Sequence, residues 1–130
     1  MWGRLSARKQ GIGMMNVLIV ERVPLVAQDL MEIISECRPD VAVHILRGLP
    51  QMNAFLGALE TADLAFVGVE AEQRARLFAH EALRQGVKRV VITDRVTPPG
   101  PLAPGWFIEP RPIVPEAVRR HVQALVAPAA

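Results

Sequence analysis

Cysteine, lysine and aspartate are all scarce in this chain, and each shortage excludes something. The single cysteine, Cys37, rules out an internal disulfide and suits a reducing compartment, so the cytoplasm is the expected location. Cys37 falls on the apolar stripe of a predicted helix, which makes a buried structural thiol the expectation. No run reaches the roughly 18 uninterrupted apolar residues of a membrane helix. Residues 1–13 lack the apolar stretch of roughly 7–15 residues that a secretory signal needs. A net charge of +2 is weak support for a polyanionic partner, because Arg4, Arg8 and Lys9 supply much of the excess at one end. Aromatics make up only 5%, so Arg119-Arg120 with Arg111 nearby forms a modest basic face without the interleaved rings of a nucleic-acid surface. His44, His80 and His121 lie on separate predicted elements with no metal-ligand spacing, so no metal site is expected.

What is present is an alternation of strands and helices in a chain that is 51% hydrophobic, enough for one compact core. Val17 to Val20 is an all-apolar run, the mark of a strand covered on both faces. Pro24 then suits a first helical turn. Val26, Leu30, Ile33, Ile34 and Cys37 follow along one helical face, which Arg38-Pro39-Asp40 ends. Val41–Leu46 reads as a second strand, and Met52, Phe55, Leu56 and Leu59 mark a second helix. Asp63–Val69 is a third strand. Glu70–Gln85 reads as a helix with Ala71, Ala75, Phe78 and Ala82 inward, and Gly86 as its C-cap. Arg89–Thr93 and Trp106–Ile108 are strands four and five. Pro115 opens a last helix striped by Val118, Val122 and Leu125.

This order predicts an α/β fold with a parallel sheet covered on both sides. Residues 1–14 read as a flexible leader, 15–127 as the domain and 128–130 as a tail. Met14 or Met15 is an alternative start. Residues 97–105 hold four prolines and two glycines, too many for a normal helix, so an extended loop is expected there. Gly11-Ile-Gly13 precedes the first strand and is therefore no dinucleotide fingerprint.

The segment Asn-Val-Leu-Ile-Val-Glu-Arg-Val-Pro-Leu-Val-Ala-Gln-Asp-Leu, residues 16–30, resembles the opening strand and helix of a response-regulator receiver domain. The likeness extends by order and spacing to about residue 126. It implies a flavodoxin-like three-layer sandwich, with five parallel strands in the order 2-1-3-4-5 and the fourth helix shortened or missing. In that family an acidic pair follows the first strand and an aspartate ends the third. A Thr or Ser ends the fourth, and a lysine follows the fifth. The corresponding positions here read Glu21-Arg22, Gly68, Thr93, and Arg111 or Pro110.

None of the four aspartates can replace the acceptor by position. Asp29 lies in the first helix, Asp40 precedes the second strand, Asp63 begins the third, and Asp94 follows the fourth. Neither lysine, Lys9 or Lys88, follows the fifth strand. Arg22 puts a permanent positive charge where a Mg²⁺ ligand would be, and it is expected to hold any carboxylate restored at position 68. A phosphorylatable reading would need a displaced acid such as Glu70. Phosphotransfer is therefore not expected.

Glu21, Glu70, Asp94 and Glu109, interleaved with Arg22, Arg95 and Arg111, instead gather near the carboxyl ends of the strands. Two readings stay open for them: ion pairs that close a disused pocket, or a small-anion or nucleotide site built on the arginines. The leading expectation is a stand-alone pseudo-receiver in a two-component or phosphorelay context. It is expected to act without catalysis or a cofactor by binding a signalling protein, with a second copy of the chain as another candidate partner. Trp106 and Phe107, beside the proline-rich loop, are its candidate anchors, unless they belong to the core.

Overall fold

The structure, a computed structural model, describes residues 15–59, 62–68, 85–94 and 100–126. Their elements run β1 (Asn16–Val20), α1 (Pro24–Cys37), β2 (Ala42–Leu46), α2 (Leu49–Leu59), β3 (Ala62–Gly68), β4 (Val87–Asp94), β5 (Gly100–Ala103), β6 (Trp106–Pro110) and α3 (Pro115–Val126). The sheet order is β2-β1-β3-β4-β6-β5. All neighbouring pairs are parallel except β5 with β6. Counting only the parallel strands, the order is 2-1-3-4-5, that of a flavodoxin-like α/β fold. Three helices lie among the described residues. The helix expected over Glu70–Gln85 falls outside them apart from its last residue, as do residues 1–14.

Why β1 lacks the usual polar alternation is plain from its surroundings: every residue of it is buried. Successive side chains point to opposite faces of a strand, so two cores form. Leu18, Val20, Val67, Val90, Ile92, Trp106 and Ile108 pack with Met52 and Leu56 of α2. Val17, Ile19, Leu64, Phe66 and Val91 pack with Leu30 and Ile34 of α1 and with Val118 and Val122 of α3. Each fully buried Leu, Ile or Phe contributes on the order of 1.5–3 kcal/mol, so these layers carry the fold.

α1 starts at Pro24, whose missing N–H costs nothing in a first turn. It stops at Arg38, held in extended geometry by Pro39, with the Arg38 amide donating to the Ile34 carbonyl at 2.9 Å. Cys37 is only partly buried against the core, not wholly inside it as its place on the stripe implied. At the amino ends of the strands, Asp63 accepts a hydrogen bond from the Asn16 amide at 2.8 Å and pairs with Lys88 at 3.3 Å. That aspartate holds strands together at the end of the sheet opposite the expected acceptor position.

The proline-rich stretch corrects the expectation of a loop. Gly100–Ala103 is a sixth strand, antiparallel to β6 and closing that edge of the sheet. Residues 97–99 lie outside the described residues. A proline is tolerated on an edge strand because its missing donor can face away from the ladder. Gly105 makes the turn with φ +81, and a side chain there would meet the Lys88 carbonyl oxygen at 2.8 Å. Its own carbonyl accepts from the Val90 amide at 2.7 Å. Only glycine satisfies both the left-handed conformation and this close approach.

No helix among the described residues is long and apolar enough to cross a membrane.

Candidate functional site

Alternation along the strands gathers the site. Glu21, Gly68 and Thr93 stand two residues beyond Ile19, Phe66 and Val91, on the α1–α3 side of the sheet's carboxyl end. Arg111 follows β6 on the same side, and its guanidinium reaches back over the sheet. Nη2 donates to Glu21 Oε2 at 2.7 Å, and Nη1 reaches Thr93 Oγ1 at 3.4 Å. Glu21 Oε2 also accepts from the Val23 amide at 3.0 Å, while the Glu21 amide donates to the Leu46 carbonyl at 2.9 Å. The Glu21 side chain is 3% exposed and that of Arg111 16%, so the pair is largely withdrawn from water.

Gly68 sits directly beneath this pair. A Cβ built on it would lie 2.5 Å from Glu21 Oε1, and closer still to Arg111 Nη1. The guanidinium from the expected lysine position thus fills the room an acceptor side chain would need. This is the ion-pair closure that the charge pattern left open as one of two readings. Arg22, in contrast, is exposed at the rim. The residue opposing a carboxylate at position 68 is therefore Arg111, not Arg22, because the longer reach from β6 ends over Gly68.

Above the pair a small cleft, partly open to solvent, is lined by Val20, Glu21, Arg22, Arg47, Gly48, Leu49, Gly68 and Arg111. Among the described residues that line it Glu21 is the one carboxylate, and no three His, Cys, Asp or Glu among the described residues could hold a metal ion together. Arg47, Gly48 and Leu49 were not singled out from the sequence. They link β2 to α2 at the carboxyl end of the sheet, where ligands of open parallel sheets bind, and that placement was the available signal.

The remaining charges go elsewhere. Asp94 is buried at the end of β4 and partnered. Glu70 and Arg95 lie outside the described residues. Glu109 accepts from Arg120 at 2.8 Å and from His121 Nε2 at 2.7 Å. Arg89 Nε donates to His121 Nδ1 at 2.9 Å, which fixes the neutral tautomer with its proton on Nε2. Arg89 also lies over the Phe107 ring at 4.0 Å, and that ring is 5.2 Å from His121. Trp106 is 8% exposed and belongs to the α2-side core, while Phe107 is half-buried under Arg89. Of the two candidate anchors, Trp106 takes the alternative left open for it and belongs to the core, while Phe107 lies under Arg89 of its own chain.

His121 is 1% exposed, and burial pushes its pKa below the ordinary value. Glu109 opposes that shift and the guanidinium of Arg89 adds to it. The unfolded chain therefore binds the imidazole proton more readily than the folded one does. Stability from this group is complete above about pH 6.5 and is lost as pH falls below that, toward the lowered folded value. Urea midpoints are expected to drop between about pH 7.5 and about pH 5, and the His121→Gln variant is expected to show a shallower drop. Equal pH slopes in the two proteins would refute this assignment.

No family model, no curated protein and no solved structure matches this chain.

Proposed function

We propose that this chain is a receiver-like signalling domain that has given up phosphoryl transfer and acts, without catalysis, by binding a protein partner in the cytoplasm. The observation that carries the reading is the Glu21–Arg111 pair lying across Gly68. Uptake of a phosphoryl group needs a carboxylate nucleophile and oxygen ligands for a hard cation. Among the described residues this cleft offers one carboxylate, and Arg111 already holds it. With that carboxylate engaged, the preserved scaffold serves as a surface.

Among the described residues, three of the four exposed large apolar groups sit near one corner of that surface. Val23, Leu25 and Val114 are 44%, 72% and 53% exposed, and the fourth, Ile45, lies on β2. The first two lie at the start of α1 and the third just before α3. Both helices follow parallel strands, so they begin at the same end of the sheet, and they pack on each other. A partner docking there would cover side chains that water otherwise surrounds.

Two measurements test the proposal. Intact mass after incubation with acetyl phosphate and Mg²⁺ is expected to show no phosphoryl gain, and a stable adduct on Asp or Glu would sink the reading. Photo-crosslinking in the native cells from position 25 is expected to yield one dominant protein adduct, absent from a probe at Asp40. Equal, diffuse labelling from both positions would remove the contact surface.

A further inference from the structure

Three elements bring polar groups together at His121, on the α3 side of the sheet: Arg89 from β4, Glu109 from β6, and Arg120 with His121 itself from α3. Among the described residues these are the charged groups that bear on the imidazole. The Phe66 and Phe107 rings close it in at 6.4 and 5.2 Å. The proposed function uses none of them. From this arrangement we infer an acid-operated latch: a proton taken up by His121 at Nδ1 expels the Arg89 guanidinium and uncovers the Phe107 ring beneath it.

The two ring nitrogens respond in opposite ways. Nδ1 carries no proton, because it accepts from Arg89 Nε at 2.9 Å and a guanidinium can only donate. Nε2 donates to Glu109, which also accepts from Arg120. A proton added at Nδ1 therefore sets two donors and two positive charges face to face on the Arg89 side. On the Glu109 side the same proton turns a hydrogen bond into an ion pair, which keeps α3 on β6. Arg89 is the group able to leave. It is partly exposed, it lies 4.0 Å over Phe107, and no salt bridge ties it to a carboxylate among the described residues. Burial and the like charge of Arg120 already disfavour its cation there. Burial of an imidazolium lowers stability in acid, and the latch opens in the molecules that carry the proton while still folded.

The test is an NMR titration of the whole chain from about pH 7.5 down to the onset of acid unfolding. It follows the His121 imidazole, the Arg89 Nε–H and the Phe107 ring, with a soluble nitroxide as the probe of exposure. The Arg89 Nε–H signal should be lost, and the Phe107 ring should become broadened by the nitroxide, both with the midpoint of His121. Amides of β1 and β3 should keep their folded positions throughout. In Arg89→Met one opposing charge is gone, so His121 should titrate at a higher midpoint and the Phe107 ring should no longer follow it. Arg89→Gln, whose neutral amide can still donate to Nδ1, should raise the midpoint as well. A His121 that stays neutral until the chain unfolds would overturn the latch. So would an Arg89 Nε–H or a Phe107 ring indifferent to its titration, or an unraised midpoint in both variants. None of these outcomes depends on phosphoryl uptake or on a protein partner, so the latch and the proposed function fail separately.

Discussion

Replacing Arg111 with Met should destabilise the domain by about 2–3 kcal/mol, because it leaves the buried Glu21 carboxylate without its counter-charge. The partner is partly exposed, which places the loss below that of a fully interior pair. The double variant Glu21→Gln/Arg111→Met should recover most of the loss. The neutral amide carries no charge to desolvate, and its oxygen can still accept from the Val23 amide. Urea unfolding of wild type, both single variants and the double variant closes the cycle, provided the slopes agree. A loss for Arg111→Met below about 1 kcal/mol, the range of exposed pairs, would mean that water reaches Glu21 and that the pair does not seal the floor of the cleft.

That pair also marks where sequence reasoning stops. Position 68 was identifiable as the end of a buried strand, and positions 21, 93 and 111 as ends of neighbouring strands. Their convergence follows from the two-residue alternation that Ile19, Phe66 and Val91 already display. Which arginine reaches Gly68 was not legible. Spacing locates a Cα, but the reach of a guanidinium depends on where the chain turns after β6. Arg22 lies next to Glu21 in sequence yet points to the rim, while Arg111, 90 residues away, lies over the glycine. Adjacency in sequence misassigned the blocking charge.

The same limit applies to Trp106 and Phe107. Both strand faces are covered, so apolar neighbours carry no pattern that says which one faces α2 and which faces α3. The structure divides them, sending Trp106 into the core and Phe107 under Arg89. In the proline-rich stretch, the excess of Pro and Gly correctly excluded a regular helix over the described residues 100–105. It could not disclose that an extended edge segment pairs with β6, since strand pairing is a property of the neighbour as well. His121, next to Val122 on the helix striped by Val118 and Val122, was read from the sequence only as lacking metal-ligand spacing. Its partners Arg89 and Glu109 come from two different strands and were not legible as such.

Changing Gly68 to Asp alone should leave the protein unable to take up a phosphoryl group. The new side chain would enter space held by Arg111 Nη1 and Glu21 Oε1, one attracting the carboxylate and the other repelling it. Arg111 would bind it as an ion pair, and a carboxylate held this way is a poor nucleophile. Attack on a phosphoryl group further requires a cation that neutralises its oxygens, and Mg²⁺ demands near-octahedral oxygen ligation. Glu21 and the introduced carboxylate would offer such oxygens only once Arg111 releases them and the neighbouring Arg22 no longer repels the ion. The combination Gly68→Asp, Arg22→Asp and Arg111→Lys supplies these conditions together: an acceptor, a second acidic ligand, and a shorter cation after β6. Intact mass after incubation with acetyl phosphate and Mg²⁺ should then show no phosphoryl gain for the single variant. The triple variant should show a gain that disappears when the metal is chelated. Labelling of Gly68→Asp alone at the triple variant's rate would mean that neither arginine is the obstacle, and that the pair over Gly68 yields freely to an incoming carboxylate.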